Sequence, residues 1–91
     1  MATVYIPEPL QPLSRGEKQV TIEATTVQQI IAQLEALYPG MEEALVEDGD
    51  LKPHIAVAVD GEVSILGVVE PVKADSEVHF IPALGGGKMA R

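Results

Sequence analysis

The sequence predicts a small α+β domain in which one helix packs on a mixed β-sheet. The chain has 91 residues, which is enough for a single domain with one core. Several short stretches alternate apolar and polar residues at the period of a β-strand, and one longer stretch follows the 3.6-residue period of a helix. The strand patterns and the helix pattern are segregated along the chain, which is typical of an α+β arrangement.

The first two strands are predicted to form a hairpin. Residues 3–6 alternate and are followed by Pro7, and residues 20–22 resume the alternation with Val20 and Ile22 facing inward. The segment between them contains three prolines and a Ser-Arg-Gly turn signal, so it is predicted to be a long loop.

Helix signals follow the hairpin. Thr26 is a predicted N-cap, with Gln29 at the spacing of a capping box. Pro39 disfavours the helical conformation at Tyr38, so the helix is predicted to end there. Residues 41–46 are predicted to add one or two further turns. The apolar residues of the main helix form one stripe that is predicted to be buried: Val27, Ile30, Ile31, Leu34, Leu37 and Tyr38.

An acidic cluster follows the second helical segment. Its members are Glu42, Glu43, Glu47, Asp48 and Asp50. They lack the spaced oxygen ligands and the closing glutamate of an EF-hand calcium loop. The cluster is therefore predicted to be a solvated surface and not a metal site.

Residues 55–59 give the strongest strand signal of the chain. They are followed by Asp60-Gly61, a two-residue hairpin turn, and by a returning strand over residues 63–65. If the odd-numbered residues of this strand face the helix, Ala56 and Ala58 face outward. The segment from 67 to 75 is predicted to be irregular, because its proline argues against a central strand.

The last strand is predicted over residues 77–81, with pairing stopping at Pro82, which has no backbone N–H to donate. Val78 and Phe80 are predicted to face inward, while His79 and Ile81 face outward with Glu77. We expect this strand to lie beside the first strand as a central parallel pair. One helix across one face of a mixed sheet of four or five strands is a β-grasp fold, the ubiquitin-like architecture.

Composition narrows the function. Six Lys and Arg residues against 14 Asp and Glu residues give a net charge of −8, which argues against binding to a nucleic-acid backbone. The chain has no cysteine, which excludes disulfides and thiolate catalysis and suits a reducing compartment. Neither a signal segment nor a long apolar run is present, so we expect a cytoplasmic protein without a membrane span. His54 and His79 form no recognisable catalytic or metal site, and no cofactor is implied.

The domain is predicted to end at residue 82 and to continue as a tail over residues 83–91. Three glycines, Gly85, Gly86 and Gly87, suit a thread that enters a narrow partner cleft. A phosphate-binding loop is excluded, because a proline stands at its first glycine position and Met89 follows the lysine. Two interpretations remain: an unstructured terminus, or a terminal glycine whose carboxyl group is the reactive part.

A set of short motifs spread along the chain resembles the bacterial and archaeal ubiquitin-like sulfur carriers. This family includes the small subunit of molybdopterin synthase, the thiamine sulfur carrier and a carrier of cysteine biosynthesis. The matching segments are Tyr5-Ile6-Pro7-x-Pro9-Leu10, Leu37-Tyr38-Pro39-Gly40, Leu51-Lys52-Pro53, Val59-Asp60-Gly61-Glu62, Pro71-Val72-Lys73 and Glu77-Val78-x-Phe80-Ile81-Pro82-Ala83-Leu84. Two departures are the Ala74-Asp75-Ser76 turn and the continuation of the chain past the family's diglycine, Gly86-Gly87.

The resemblance implies a specific chemistry for the tail. An ATP-dependent activating enzyme adenylates the terminal glycine carboxylate, a sulfur donor converts it to a thiocarboxylate, and an acceptor synthase receives the sulfur. In this chain Gly87 is held in an amide to Lys88, so residues 88–91 have to be removed first. Some relatives are trimmed in this way by a zinc metalloprotease. The resemblance does not distinguish molybdenum cofactor, cysteine, thiamine and other pathways.

A docking surface for partners is predicted on the sheet face opposite the helix. The residues of this face are Tyr5, Ala56, Ala58, His79 and Ile81. Leu84, in the predicted tail, is also predicted to contact partners. The alternatives to a sulfur carrier are a ubiquitin-like binding module with a permanent tail, and a modifier that joins its processed glycine to lysines of target proteins. Residues 88–91 are also compatible with a cloning remnant.

Overall fold

A five-stranded mixed sheet organises the protein, and its central strand is the last one in the chain. The structure, a computed structural model, describes residues 1–82, and the predicted tail lies outside the described residues. The elements are β1 (Ala2–Tyr5), β2 (Gln19–Ile22), α1 (Val27–Leu37), α2 (Met41–Leu45), β3 (Val46–Glu47), β4 (Asp50–Leu51), β5 (Ile55–Val59), β6 (Glu62–Val63) and β7 (Glu77–Pro82).

The strand order is β2-β1-β7-β5-β6, with β1 and β7 parallel and the other neighbours antiparallel. This confirms the predicted first hairpin, the central parallel pair and the β-grasp architecture. β3 and β4 form a separate two-stranded sheet. The division into a domain and a tail stays a prediction.

The core lies between α1 and one face of the sheet. Val4 of β1, Val57 of β5 and Val78 of β7 are fully buried in it, and Phe80 is almost fully buried. Register explains this alignment, because Val4 pairs with Val78 and Val57 pairs with Phe80. Directly paired residues project from the same face of a sheet, so the alternation of each strand adds to one continuous apolar surface.

The first turn of α1 is capped as predicted. The Thr26 hydroxyl oxygen accepts a hydrogen bond from the backbone N–H of Gln29 at 3.3 Å. The side-chain oxygen of Gln29 accepts from the backbone N–H of Thr25 at 2.8 Å, one residue before the position of a standard capping box. One unpaired N–H group of the first helical turn is thereby satisfied, and the residue before the N-cap is tied to the helix.

The predicted stripe of α1 is right over its first two turns and wrong at Leu37. Leu34 is completely buried, whereas Leu37 is 51% exposed. The helix ends at Leu37, and the Glu35 carboxylate accepts hydrogen bonds from the N–H groups of Gly40 and Glu42, which turns the chain into α2. Met41 from α2 then fills the core, so the last position of the stripe lies beyond it.

The acidic cluster is exposed, as predicted, but the strands within it were not predicted. Residues 46–51 form the β3–β4 hairpin, with Asp48 at φ +56° and Gly49 at φ +84° in its turn. Asp-Gly is a favoured pair for this geometry, because both positions need a positive φ. The same dipeptide correctly predicted the next hairpin, where Asp60 and Gly61 have φ values of +54° and +86°.

The strand that returns from the second Asp-Gly turn is shorter than predicted. β6 ends at Val63, and Ile65 is 97% exposed. The Ser64 hydroxyl hydrogen-bonds to the Glu70 carboxylate and accepts from the N–H of Leu66, so the chain bends away from the sheet. β7 in turn is longer by one residue than its apolar alternation suggested. Pro82 still pairs with Ile55, since a proline keeps its carbonyl acceptor.

Asp60 ties the β5–β6 turn to the start of β7. Its carboxylate accepts hydrogen bonds from the Glu77 backbone N–H at 3.0 Å and the Ser76 hydroxyl at 2.9 Å. These two bonds, with a further contribution from Lys73, hold the pKa of Asp60 below its ordinary value of 3.8. The ionised form therefore stabilises the fold above pH 3.8, and this contribution is lost as the pH falls through the lowered pKa.

Replacing Asp60 with Asn should remove this pH-dependent contribution. Asn tolerates a positive φ, so Asp60→Asn keeps the turn conformation while removing the charged acceptor. We expect the variant to be less stable than wild type near pH 7, with the difference narrowing as the pH falls below 3.8. Urea unfolding at several pH values measures this, with Asp48→Asn in the β3–β4 turn as the matched control. A difference that does not change with pH would contradict the assignment.

Candidate functional site

The chain leaves β7 at one end of the sheet, where three strand ends lie side by side. β1 and β7 are parallel, so both end at this edge, and β5 starts there because it is antiparallel to β7. Pro82, the last residue of β7, lies opposite Ile55, the first residue of β5. Several predicted site residues lie outside the described residues. They are the thread Gly85, Gly86 and Gly87, of which Gly87 is the predicted reactive terminus, the predicted cleavage partner Lys88, and the predicted docking residue Leu84.

The predicted docking surface is on the outer face of the sheet, opposite α1. Tyr5, His79 and Ala58 lie side by side on β1, β7 and β5, because Tyr5 pairs with His79 and His79 pairs with Ala58. The rings of Tyr5 and His79 are stacked, with centroids 4.2 Å apart and planes 3° from parallel. Stacking fixes the two rings against each other, so together they form one rigid aromatic pair on this face.

Residues of this surface differ in how much area they present to a partner. Ile81 is 43% exposed, whereas Ala58 is only 7% exposed. Ala58 is a small residue paired with His79 on one side and Val63 on the other, so it lies low in the row. Its neighbour on β5, Ala56, pairs with Ile81 and is half-buried.

Val63 belongs to the same row but was not predicted as part of the surface. It pairs directly with Ala58 and is 62% exposed. The signal was present in the sequence, because a two-residue Asp60-Gly61 turn sets the register that places Val63 opposite Ala58. The outer face thus presents a row from Tyr5 through His79 to Val63, with Ile81 next to it on the side nearer the tail.

An apolar pocket on the inner face at the root of the tail was also not predicted. It has a volume of about 170 Å³ and opens beside Pro82. Its walls come from the loop after β1, from α2, from the start of β5 and from β7. Residues that line it include Pro7, Leu10, Leu45, His54, Phe80 and Pro82. No short sequence pattern indicates this pocket, because its walls are distant in sequence.

Residues 1–82 contain no group of three or more His, Asp or Glu side chains arranged to hold a metal ion. Every buried side-chain nitrogen and oxygen of these residues has a hydrogen-bond partner. The longest helix in this range, α1, has 11 residues, and none there has the length and apolarity to span a membrane.

The fold, together with the sequence that follows β7, defines a class of protein. A five-stranded β-grasp sheet, whose central strand is the last one within residues 1–82, is the architecture of ubiquitin-like proteins, and the sequence continues with Gly85, Gly86 and Gly87. Residues 4–87 match the model of the ThiS family, so the chain belongs to that family. The match ends at Gly87, and residues 88–91 lie beyond it.

Known relatives agree with this membership. The sulfur carrier protein CysO of Mycobacterium tuberculosis is 34% identical over 90 residues, which cover 93% of this chain and 97% of CysO. Small archaeal modifier protein 3 of Haloferax volcanii is 34% identical over 64 residues, or 68% of this chain and 70% of that protein.

A solved structure of the Amycolatopsis orientalis BexX/CysO complex contains a chain that is 32% identical, with a TM-score of 0.90. The alignment covers 96% of this chain and all of that one. The predicted resemblance is therefore confirmed. The relatives are carriers and modifiers by name, which confirms the prediction that the chain is not itself an enzyme.

Proposed function

We propose that the protein is a sulfur carrier whose C-terminal glycine, Gly87, is converted to a thiocarboxylate. The observation that supports this most directly is the family match, which includes the whole diglycine and ends at Gly87. The similarity to CysO, a named sulfur carrier, along nearly the full length of both proteins supports the same function. The domain presents the tail, and partner proteins supply the chemistry.

Activation follows from carboxylate chemistry. A free Gly87 carboxylate attacks the α-phosphorus of ATP in the activating enzyme and releases pyrophosphate, which gives an acyl adenylate. Hydrosulfide, as the sulfur donor, then attacks the glycine carbonyl carbon, the bond to AMP breaks, and loss of one proton gives the thiocarboxylate. In the acceptor synthase the thiocarboxylate sulfur displaces a leaving group from the acceptor, which gives a thioester. Water then hydrolyses the thioester, so the sulfur stays with the acceptor and the Gly87 carboxylate returns. Three glycines favour this path, because a segment without Cβ atoms fits a narrow cleft.

The extension after Gly87 has to be removed before activation. In the sequence as written, the Gly87 carbonyl is part of the peptide bond to Lys88. An amide carbonyl has no oxygen free to attack ATP, so the unprocessed form is inert. We propose that a zinc metalloprotease hydrolyses this bond and releases residues 88–91 as a peptide.

A second candidate function is protein modification. The similarity to small archaeal modifier protein 3 favours it, because that relative is named as a modifier. In this case the same activated Gly87 would form an isopeptide bond with a lysine of a target protein. Higher-mass adducts that contain this chain and disappear in a Gly87→Pro variant would support modification.

Intact-mass analysis of the protein from its native host tests the sulfur-carrier function. We expect a species that ends at Gly87, together with a second species whose mass corresponds to one oxygen replaced by sulfur. Treatment with an alkylating reagent should label the second species only, since a thiocarboxylate is nucleophilic and a carboxylate is not. Protein that remains full-length in active cells would refute the proposal.

The outer face of the sheet is proposed to dock the activating enzyme. Ile81→Glu should weaken binding by roughly 10- to 100-fold, about 1.4–2.8 kcal/mol, because docking would desolvate a carboxylate that has no partner. Ile81 is a better probe than Ala58, since the exposed fraction of its side chain is larger and a glutamate there disturbs the fold less. Binding is measured by calorimetry with the activating enzyme.

Ile65→Glu is the matched control for this surface. It introduces the same charge at an apolar residue that is 97% exposed and lies after β6, outside the row of Tyr5, His79 and Val63. We expect its affinity to equal that of wild type. Equal affinity for Ile81→Glu as well would remove the outer face from the proposal, provided that both variants melt at the wild-type temperature.

A further inference from the structure

The proposed sulfur-carrier function assigns no role to the apolar pocket beside Pro82. Pro7 and Leu10 from the loop after β1, Leu45 from α2, and Phe80 and Pro82 from β7 contribute to its walls. Phe80 and Leu45 are also core residues, so the floor of the pocket is a part of the core. A pocket with this lining favours an apolar side chain as its occupant.

The alternation of β7 indicates which residue reaches the pocket. Val78 and Phe80 face the core, and Pro82, the next residue of the same parity, lines the pocket. In an extended chain every second residue projects from the same face. Leu84 is the next residue of that parity and the first large apolar side chain after the described part of the strand.

The Leu84 side chain can reach the pocket, and the pocket is large enough to hold it. Two residues of extended chain span at most about 7 Å, so Leu84 stays within side-chain distance of the pocket that Pro82 borders. A leucine side chain has four carbon atoms, and apolar cavities of about 150 Å³ can hold a molecule the size of benzene. The pocket volume of about 170 Å³ is therefore sufficient for it.

We propose that Leu84 docks reversibly into this pocket of its own chain and so anchors the root of the tail. Burial of one leucine side chain favours docking, and the loss of conformational freedom of two or three residues opposes it. These contributions are similar in size, so docked and extended tails are both populated. Docking at Leu84 leaves Gly85, Gly86 and Gly87 outside the pocket.

The consequence for activation, which rests on the proposed function, is a competition for Leu84. A partner that engages the tail along its whole length has to draw this side chain out of the pocket. A partner that needs only the three glycines does not. Docking itself requires no partner, so it is tested on the isolated full-length protein, and its outcome is independent of whether Gly87 ever receives sulfur.

Methyl NMR of the full-length, unprocessed protein tests the proposal. The Leu84 methyl signals are assigned by their loss in Leu84→Ala. We expect contacts between these methyls and the Phe80 ring protons, together with chemical shifts displaced from those of a peptide of residues 83–91. Met89→Ala shortens an apolar side chain five residues further along the tail and should leave the Leu84 methyl signals unchanged.

A variant that fills the pocket provides a second measurement. Ala44 of α2 lines the pocket, so Ala44→Leu should move the Leu84 methyl shifts to the values of the free peptide. Ala36→Leu on the exposed side of α1 adds the same volume outside the pocket and should have no effect. The wild-type contacts do not depend on the folding of either variant.

Two outcomes would overturn the proposal. One is wild-type Leu84 methyls with the shifts of the free peptide and without contacts to Phe80. The other is contacts that appear only between labelled and unlabelled molecules in a mixed sample, which would mean that the tail of a second copy occupies the pocket.

Discussion

A chain that ends at Gly87 should be adenylated by the activating enzyme of its native host, and the chain that ends at Arg91 should not. The physical reason is that an amide carbonyl cannot attack ATP, whereas a carboxylate can. The expected effect is therefore a complete loss of adenylation in the chain that ends at Arg91. ATP–pyrophosphate exchange measures it directly, because exchange requires reversible formation of the acyl adenylate.

Two further variants test whether adenylation depends on the length and sequence of the C-terminus as well as on its free carboxylate. A chain that ends at Gly86 has a free carboxylate but is one residue shorter, and Gly86→Val in the Gly87-terminated chain adds a branched side chain beside the reactive carbonyl. We expect each to lower the exchange rate by at least about 100-fold, since a misplacement of about 1 Å already costs that much in a positioned reaction and one residue of extended chain spans about 3.3 Å. Exchange by the Arg91-terminated chain at the rate of the Gly87-terminated chain would contradict the need for cleavage.

Leu34→Ala should destabilise the domain by about 2–5 kcal/mol, because it removes three carbons from a fully buried position of α1 and leaves a cavity. For a domain of this size each kcal/mol lowers the melting temperature by about 4–8 °C. Total stability is commonly about 5–15 kcal/mol, so this single change removes a large share of it. Urea unfolding followed by circular dichroism measures the loss.

Leu37→Ala is the matched control, three residues further along the same helix. Leu37 is 51% exposed, so the same truncation should cost roughly 1 kcal/mol or less. The contrast separates the loss of core packing from any change in helix propensity, because both variants replace Leu with Ala in α1. Equal destabilisation by the two variants would mean that the apolar stripe is buried over its whole length, as its period alone suggested.

Local patterns were sufficient to predict most of the fold. The alternation of β1, β5 and β7 correctly assigned their inner faces, and Thr26 with Gln29 correctly located the start of α1. These predictions hold because each depends on residues close in sequence, whose geometry is set by the period of a strand or by a cap. The Asp60-Gly61 turn was found for the same reason.

Predictions failed where the environment of a segment is set by the element that follows it rather than by its own period. Leu37 lies on the apolar stripe, yet α2 takes its place in the core. Ser64 continues a strand pattern, yet its hydrogen bond to Glu70 turns the chain away from the sheet. In both cases the competing partner belongs to another element, and no period within the segment itself reveals it.

The candidate site divides in the same way. By itself the sequence determined that the chain is acidic, that it has a ubiquitin-like fold and that three consecutive glycines follow Leu84, because charge, strand alternation, a capped helix and a run of glycines are local properties of the chain. Only the tertiary structure decided that Ala58 lies low between His79 and Val63, and that a pocket opens beside Pro82. Burial and cavities arise where elements distant in sequence pack together, so they depend on the relative positions of those elements rather than on any one of them.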